Sequence, residues 1–342
     1  MVEKERMIWL DYVKGLLIIL VVLGHVMPEN DIVHSWIYSW HMPAFFILNG
    51  ILLSYTQYVK KYGGGREAVL QGITKLIIPY YSYGCLLMLA RWGSSGFGIA
   101  NLKWQIVDLI YFWGIGATWF LPCLFLAQLI YRFIKKISFV GTFQNRKVNY
   151  WFMFLITMGV MLVPFMIKVD NVVVMVLFRS MIAAAFIVMG DLLSTVLKKI
   201  KSFPQSILFV GSIIGLILSF TVFISTGKMQ VSLNTLNISP FLIYIANALI
   251  GSIWIFIVGM FIEKSRLKVA RVIEFYGKST MIVMGTHQVI MLILMIPIKT
   301  NYWLNIVCCI FVLLTEIPVI YLINKIKMMG DSKWKKKFVK SN

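Results

Sequence analysis

Residues 9–25 read Trp9-Leu10-Asp11-Tyr12-Val13-Lys14-Gly15-Leu16-Leu17-Ile18-Ile19-Leu20-Val21-Val22-Leu23-Gly24-His25. A helix that crosses a bilayer needs about 20 mostly apolar residues, and this stretch supplies one. Its basic start and apolar run imitate a secretory leader, but no small-residue cleavage site follows Gly24-His25-Val26. It also carries Asp11, Lys14 and His25, and ionisable groups inside a membrane helix are costly and usually functional. At about 100° per residue, the step from Lys14 to His25 is three turns plus about 20°. The two side chains therefore share one face, about 16 Å apart along the axis. Asp11 and Lys14 stand at i,i+3 and can partly neutralise each other.

The rest of the chain repeats the apolar signal. Of 342 residues, 60% are hydrophobic and 13% charged, against about 25% charged in soluble domains. That balance excludes a soluble enzyme, a disordered chain and a disulfide-stapled secreted domain. About ten stretches are long and apolar enough to span, near 7–27, 41–59, 73–92, 117–135, 149–168, 171–195, 205–226, 239–262, 272–297 and 302–326. A shorter amphipathic stretch near 103–113 is expected to be interfacial or re-entrant. The fold class expected is all-α, a polytopic integral membrane protein with one transmembrane domain over residues 1–342.

The net charge of +20 sits in the connections, which indicates topology control and no nucleic-acid partner. Lys60, Lys61, Arg66 and Lys75, then Arg132, Lys135 and Lys136, then Lys198, Lys199 and Lys201 mark alternate ends of the spans. Lys264, Arg266, Lys268 and Arg271 continue the pattern, and the C-terminal lysines close it. The opposite ends carry only Arg91, Lys103, Lys168, Lys228 and Lys299. The positive-inside rule then places both termini in the cytoplasm and His34 in an external loop. Cys85, Cys123, Cys308 and Cys309 lie inside apolar runs without metal-ligand spacing and read as buried thiols. No metal site is expected.

Further polar signals interrupt the spans. His41-Met42-Pro43 opens the second span, where Pro43 suits a first helical turn and His41 reads either as a site residue or as an interfacial cap. Thr118-Trp119-Phe120-Leu121-Pro122 opens the fourth, with Trp119 an aromatic-belt anchor or a site residue. Gly277-Lys278-Ser279 begins the ninth, placing His287 at a depth similar to His25 and His41. Arg179 is the arginine well inside a span, reading as functional or as paired with a buried acid or carbonyls. Asp191 and Glu316 are weaker candidates. Gly63-Gly64-Gly65-Arg66 has the composition of a phosphate-contacting loop but reads better as a turn. No Walker A, G-x-S-x-G or HExxH pattern occurs.

The segment from Leu10-Asp11-Tyr12-Val13-Lys14-Gly15 to Gly24-His25 resembles the start of the membrane-bound acyltransferase 3 family. Its hallmark is a basic residue, ten residues, then a histidine, which Lys14 and His25 match. His41-Met42-Pro43-Ala44-Phe45-Phe46 with Asn49-Gly50 resembles the fucose 4-O-acetylase-like branch of polysaccharide O-acetyltransferases, with Asn49 where serine is commoner. Trp119-Phe120-Leu121-Pro122, the region of Arg179 and Gly190, Gly277-Lys278-Ser279 and His287 fit the same branch. The family often carries two arginines three apart at the start of the third helix; here Gly72 and Lys75 stand there, before Pro79.

The resemblance implies transfer of an acyl group, most often acetyl, from cytoplasmic acetyl-CoA to a sugar hydroxyl of a cell-surface or exopolysaccharide. Acetyl-CoA is then a substrate, and no resident cofactor is expected. Lys14 and Lys75 are the expected acyl-CoA contacts, with Asp11 the structural partner of Lys14. His25 is the expected general base or, alternatively, the site of an acyl-histidine intermediate. His41, Trp119, Arg179 and His287 are expected on the acceptor or transition-state side. The competing readings are an exporter of polysaccharide or lipid-linked sugar and a membrane-embedded binding module. A bacterial cell membrane is the expected location, and the oligomeric state stays open.

Overall fold

In the computed structural model the first apolar run folds as one unbroken helix, α1 (Ile8–Val26), which stops where Met27 turns extended ahead of Pro28. The structure describes residues 7–29, 31–55, 65–96, 98–139, 146–167, 171–225, 231–265, 267–296 and 301–339. Asp31 caps the next helix, its carboxylate accepting from the backbone N–H of Val33 at 2.7 Å and of His34 at 3.2 Å. That helix, α2 (Ile32–Tyr38), runs almost directly into α3 (His41–Tyr55). The second crossing is therefore longer than the expected 41–59, starting at Ile32.

The chain continues as α4 (Arg66–Gly72), a π-helical turn (Ile73–Ile77) and α5 (Ile78–Ser94), then the short α6 (Ile99–Ile110). A 3₁₀ turn (Gly116–Trp119) leads into α7 (Phe120–Phe139), followed by α8 (Arg146–Met166) and α9 (Val172–Lys201). The order closes with α10 (Gln205–Ser225), α11 (Phe241–Ser265), α12 (Ala270–Lys278), α13 (Thr280–Ile293) and α14 (Tyr302–Val339). Among the described residues, 8 helical segments are long and apolar enough to cross a membrane, and Val148–Pro164 and Thr280–Ile293 are shorter apolar helices. Together they occupy the ten stretches expected from hydropathy, so the chain is a polytopic all-α membrane protein.

Two corrections follow from the packing. The ninth stretch, 272–297, is two helices broken at Ser279. Its charged first part, α12, lies along α1 so closely that a methyl group at Gly277 would stand 1.8 Å from the Asp11 carbonyl oxygen. A methyl at Gly15 would likewise stand 2.0 Å from the Ile273 carbonyl oxygen. His34, expected in an external loop, lies in α2 and is buried, its ring stacked on Tyr38 with centroids 4.0 Å apart. The Asp31 cap is what turns that loop into helix.

The centre of the bundle is α9 against α3. A methyl at Gly50 would stand 1.9 Å from the Ile187 carbonyl oxygen, and one at Gly190 2.0 Å from that of Ile47. Small residues at such crossings let two backbones touch in lipid, where hydrophobic burial gives no drive between helices. Lys135 of α7 meets Asp191 of α9 at 2.6 Å, and the Tyr131 hydroxyl donates to the same carboxylate at 2.9 Å. Asp191 thus ties α7 to α9. Glu316 of α14 is buried against Thr286 of α13, whose hydroxyl is 2.9 Å from both carboxyl oxygens. At the periphery, α10 presents Ile207, Val210, Ile214 and Ile217, each more than half exposed, as a lipid-facing surface does.

Candidate functional site

Five chain segments converge where α1 ends. They enclose a cavity of about 220 Å³. The last turns of α1 supply Val21 and His25, and the α2–α3 junction supplies Tyr38, His41, Met42 and Phe45. The 3₁₀ turn and the start of α7 supply Gly116, Ala117, Trp119 and Phe120. The loop before α11 supplies Val231 to Asn234, and α13 contributes Met284.

His25 is half-buried on this wall. Its ring lies 5.1 Å, centroid to centroid, from that of His287 and 6.4 Å from that of Tyr38. Gln288, one residue beyond His287, places its side-chain nitrogen 3.3 and 3.4 Å from the two ring nitrogens of His25. The orientation of that amide follows from its other end. Its oxygen accepts from the Ala117 backbone N–H at 3.0 Å, so the NH₂ group faces His25. His41 is buried, and its Nδ1–H donates to the Ile37 carbonyl at 2.8 Å. His287 is fully buried, and its Nδ1–H donates to the Val283 carbonyl at 2.7 Å. A carbonyl only accepts, so both rings carry their proton on Nδ1 and their lone pair on Nε2.

Tyr38 links these rings. It stacks on His34 and lies 4.8 Å from the His41 ring centroid. No group of three or more His, Cys, Asp or Glu among the described residues is placed to hold a metal ion.

Arg179 stands one layer behind the wall. It is fully buried in the second turn of α9, nearer the His25 end of the bundle than mid-span. Its Nη2 donates to the Phe112 and Trp113 carbonyls at 2.6 and 3.1 Å, and its Nη1 to the Asn234 side-chain oxygen. The guanidinium carbon lies 5.0 Å from the Trp113 ring centroid and 5.3 Å from that of Trp119. Trp119 is buried and lines the cavity; it is not a lipid-facing anchor.

At the other end of α1, Lys14 meets Asp11 at 3.1 Å, the pairing that the i,i+3 spacing predicts. Because α1 is unbroken, Lys14 and His25 keep a common face, with fully buried Ile18 between them. Lys75 lies in the π-helical turn, exposed, and does not line the cavity. Of the glycine-rich stretch, Gly63 and Gly64 lie outside the described residues, while Gly65 and Arg66 begin α4. The structure thus unites His25, His41, Trp119 and His287, sets Arg179 behind them, and leaves Lys14 and Lys75 elsewhere. Tyr38, Gln288 and Asn234 were not singled out by sequence. Their residue types carry no chemical signature, though Gln288 adjoins a candidate histidine.

A basic residue and a histidine thus share one face of the first membrane helix, and that histidine lies on a cavity wall. The family model described as "Acyltransferase domain" matches residues 7–322. The chain belongs to the acyltransferase 3 family. Residues 7–322 carry the family's acyltransferase domain on a polytopic membrane fold. Nodulation protein NolL of Sinorhizobium fredii (strain NBRC 101917 / NGR234) is 32% identical over 141 residues, 36% of this chain and 38% of that protein. The match thus spans about two fifths of that curated relative's length. No solved structure matches the chain.

Proposed function

We propose that this acyltransferase is an O-acetyltransferase that moves acetyl from cytoplasmic acetyl-CoA to a sugar hydroxyl of a cell-surface or exopolysaccharide. The location proposed is a bacterial cell membrane with both termini cytoplasmic, which the basic residues between spans support. In that orientation the His25 cavity opens toward the outer leaflet and Lys14 lies toward the cytoplasm. The observation that carries the reading is His25 on the cavity wall, with Gln288 oriented onto its ring.

The chemistry uses this chain's own groups. The acceptor hydroxyl binds in the cavity beside His25. An imidazole nitrogen takes the hydroxyl proton while the oxygen attacks the thioester carbonyl carbon. The tetrahedral adduct collapses, the carbon–sulfur bond breaks, and the CoA thiolate leaves with the proton returned by the imidazolium. The sugar ester and free CoA are the products. Direct transfer needs one histidine and no covalent intermediate. Lys14 meets the donor as a positive charge at the phosphate-bearing end, and about 16 Å of helix separates it from His25. A pantetheine arm spans such a gap. Ile18, between the two residues on that face, is fully buried.

The test is transfer of radiolabel from acetyl-CoA to base-deacetylated surface glycan by purified protein in nanodiscs. Label in alkali-labile ester is expected. Label-free glycan with intact acetyl-CoA overturns the reading. Family membership weighs against the exporter alternative, and no feature of the cavity favours it.

A further inference from the structure

Arg179 is a buried cation whose hydrogen-bond partners among the described residues are all uncharged. Those partners lie on two separate segments. One is the turn after α6, where it holds the Phe112 and Trp113 carbonyls. The other is the loop closed by a bridge between Ser232 and Asn237, where it holds Asn234. Both segments carry non-glycine residues with left-handed backbone, Phe112 at φ 60° and Leu236 at φ 58°. Such conformations are strained and collect at ligand clamps. A cation that spends its donors on two strained turns holds those turns in place relative to each other.

The second of these segments borders the cavity. Asn234 lines it. Because the Asn234 side-chain oxygen is taken by Arg179, the orientation of the amide is decided, and its NH₂ group is the end left for the cavity. That NH₂ has no hydrogen-bond partner among the described residues. An amide whose oxygen binds a guanidinium is polarised, and its N–H groups become stronger donors. We infer that Asn234 recognises the acceptor, its side-chain NH₂ donating to a sugar oxygen, and that Arg179 is the positioning residue that aims it. The inference rests on the acyltransferase reading above and names the residue that selects the acceptor. His25 then acts on a hydroxyl whose ring is also held by Asn234, in the same cavity.

Two variants separate recognition from tethering. Asn234→Ala removes both the oxygen that Arg179 holds and the NH₂. Asn234→Asp keeps an oxygen for Arg179, now as an ion pair, but replaces the donor with an acceptor. The measurement is steady-state transfer from radiolabelled acetyl-CoA to base-deacetylated surface glycan of the encoding organism, by protein in nanodiscs, alongside its thermal unfolding. Both variants are expected to raise the KM for glycan about tenfold, the loss of one hydrogen bond, with the KM for acetyl-CoA unchanged. Asn234→Asp is expected to unfold at or above the wild-type temperature. A wild-type glycan KM in Asn234→Asp would make Asn234 a tether only and overturn the inference while leaving the acyltransferase reading intact. Absence of transfer by wild-type protein overturns the reading itself, and the inference with it.

Discussion

The His25 and His287 rings lie 5.1 Å apart, inclined by 35°, on helices brought together from opposite ends of the chain. His287 gives its Nδ1–H to the Val283 carbonyl, which leaves its buried Nε2 lone pair without a hydrogen-bond partner among the described residues. We predict that this lone pair supports His25 in the step in which His25 takes a proton. His287→Phe keeps a ring and removes the lone pair, so kcat should fall about tenfold or more, each tenfold being about 1.4 kcal/mol of barrier. His287→Gln sets an oxygen near the Nε2 position and should retain more activity. Equal loss in both variants, measured by initial-rate transfer, would remove the lone pair from the account.

Gln288 joins His25 to the 3₁₀ turn. Gln288→Leu leaves the Ala117 N–H without its acceptor and His25 without the amide. An unsatisfied buried donor costs about 1–3 kcal/mol, so the detergent-solubilised protein should melt lower and transfer more slowly. Gln288→Glu restores an acceptor for Ala117 and should recover the melting temperature but not the rate. Recovery of both would show that the amide nitrogen has no role at His25.

Lys14 is assigned to the donor. Lys14→Ala should raise the KM for acetyl-CoA with little change in the KM for glycan, and Lys14→Arg should retain activity because either cation meets phosphate as a charge. Unchanged acetyl-CoA dependence in Lys14→Ala, from initial rates at fixed glycan, would move the donor mouth away from this end of α1.

The α3–α9 crossing sets the positions of His41 and Arg179 together. Gly50→Ala drives a methyl group into the Ile187 carbonyl. The helices must separate, at a cost of several kcal/mol, at the upper end of what one substitution does. Size-exclusion profiles of the solubilised protein should show aggregation or a strongly lowered melting point. A wild-type profile would mean that the crossing is loose.

Much of this was legible in the sequence because the bilayer imposes length and polarity on each span. The ten apolar stretches appear as helices, and the Asp11–Lys14 pair follows from spacing within one helix. His25, His41 and His287 share a depth that hydropathy alone suggests. What sequence could not give is convergence across the chain. Gln288 reaches His25 over 263 positions, and a glutamine in an apolar run has no signature. Arg179 pairs with loop carbonyls, which any residue supplies. His34 misled for a local reason. Asp31 caps a helix that folds the expected loop inward and lays His34 on Tyr38, so His34→Ala is expected to lower stability.

His25 carries the central claim. Acetyl content of the surface polysaccharide, read by NMR in a deletion strain complemented at matched expression, tests it most directly. Loss of a general base costs about 10²–10⁴-fold, so His25→Gln, which cannot take a proton at neutral pH, should leave no detectable ester while inserting normally. Near wild-type acetylation with His25→Gln would contradict the account and place the base elsewhere.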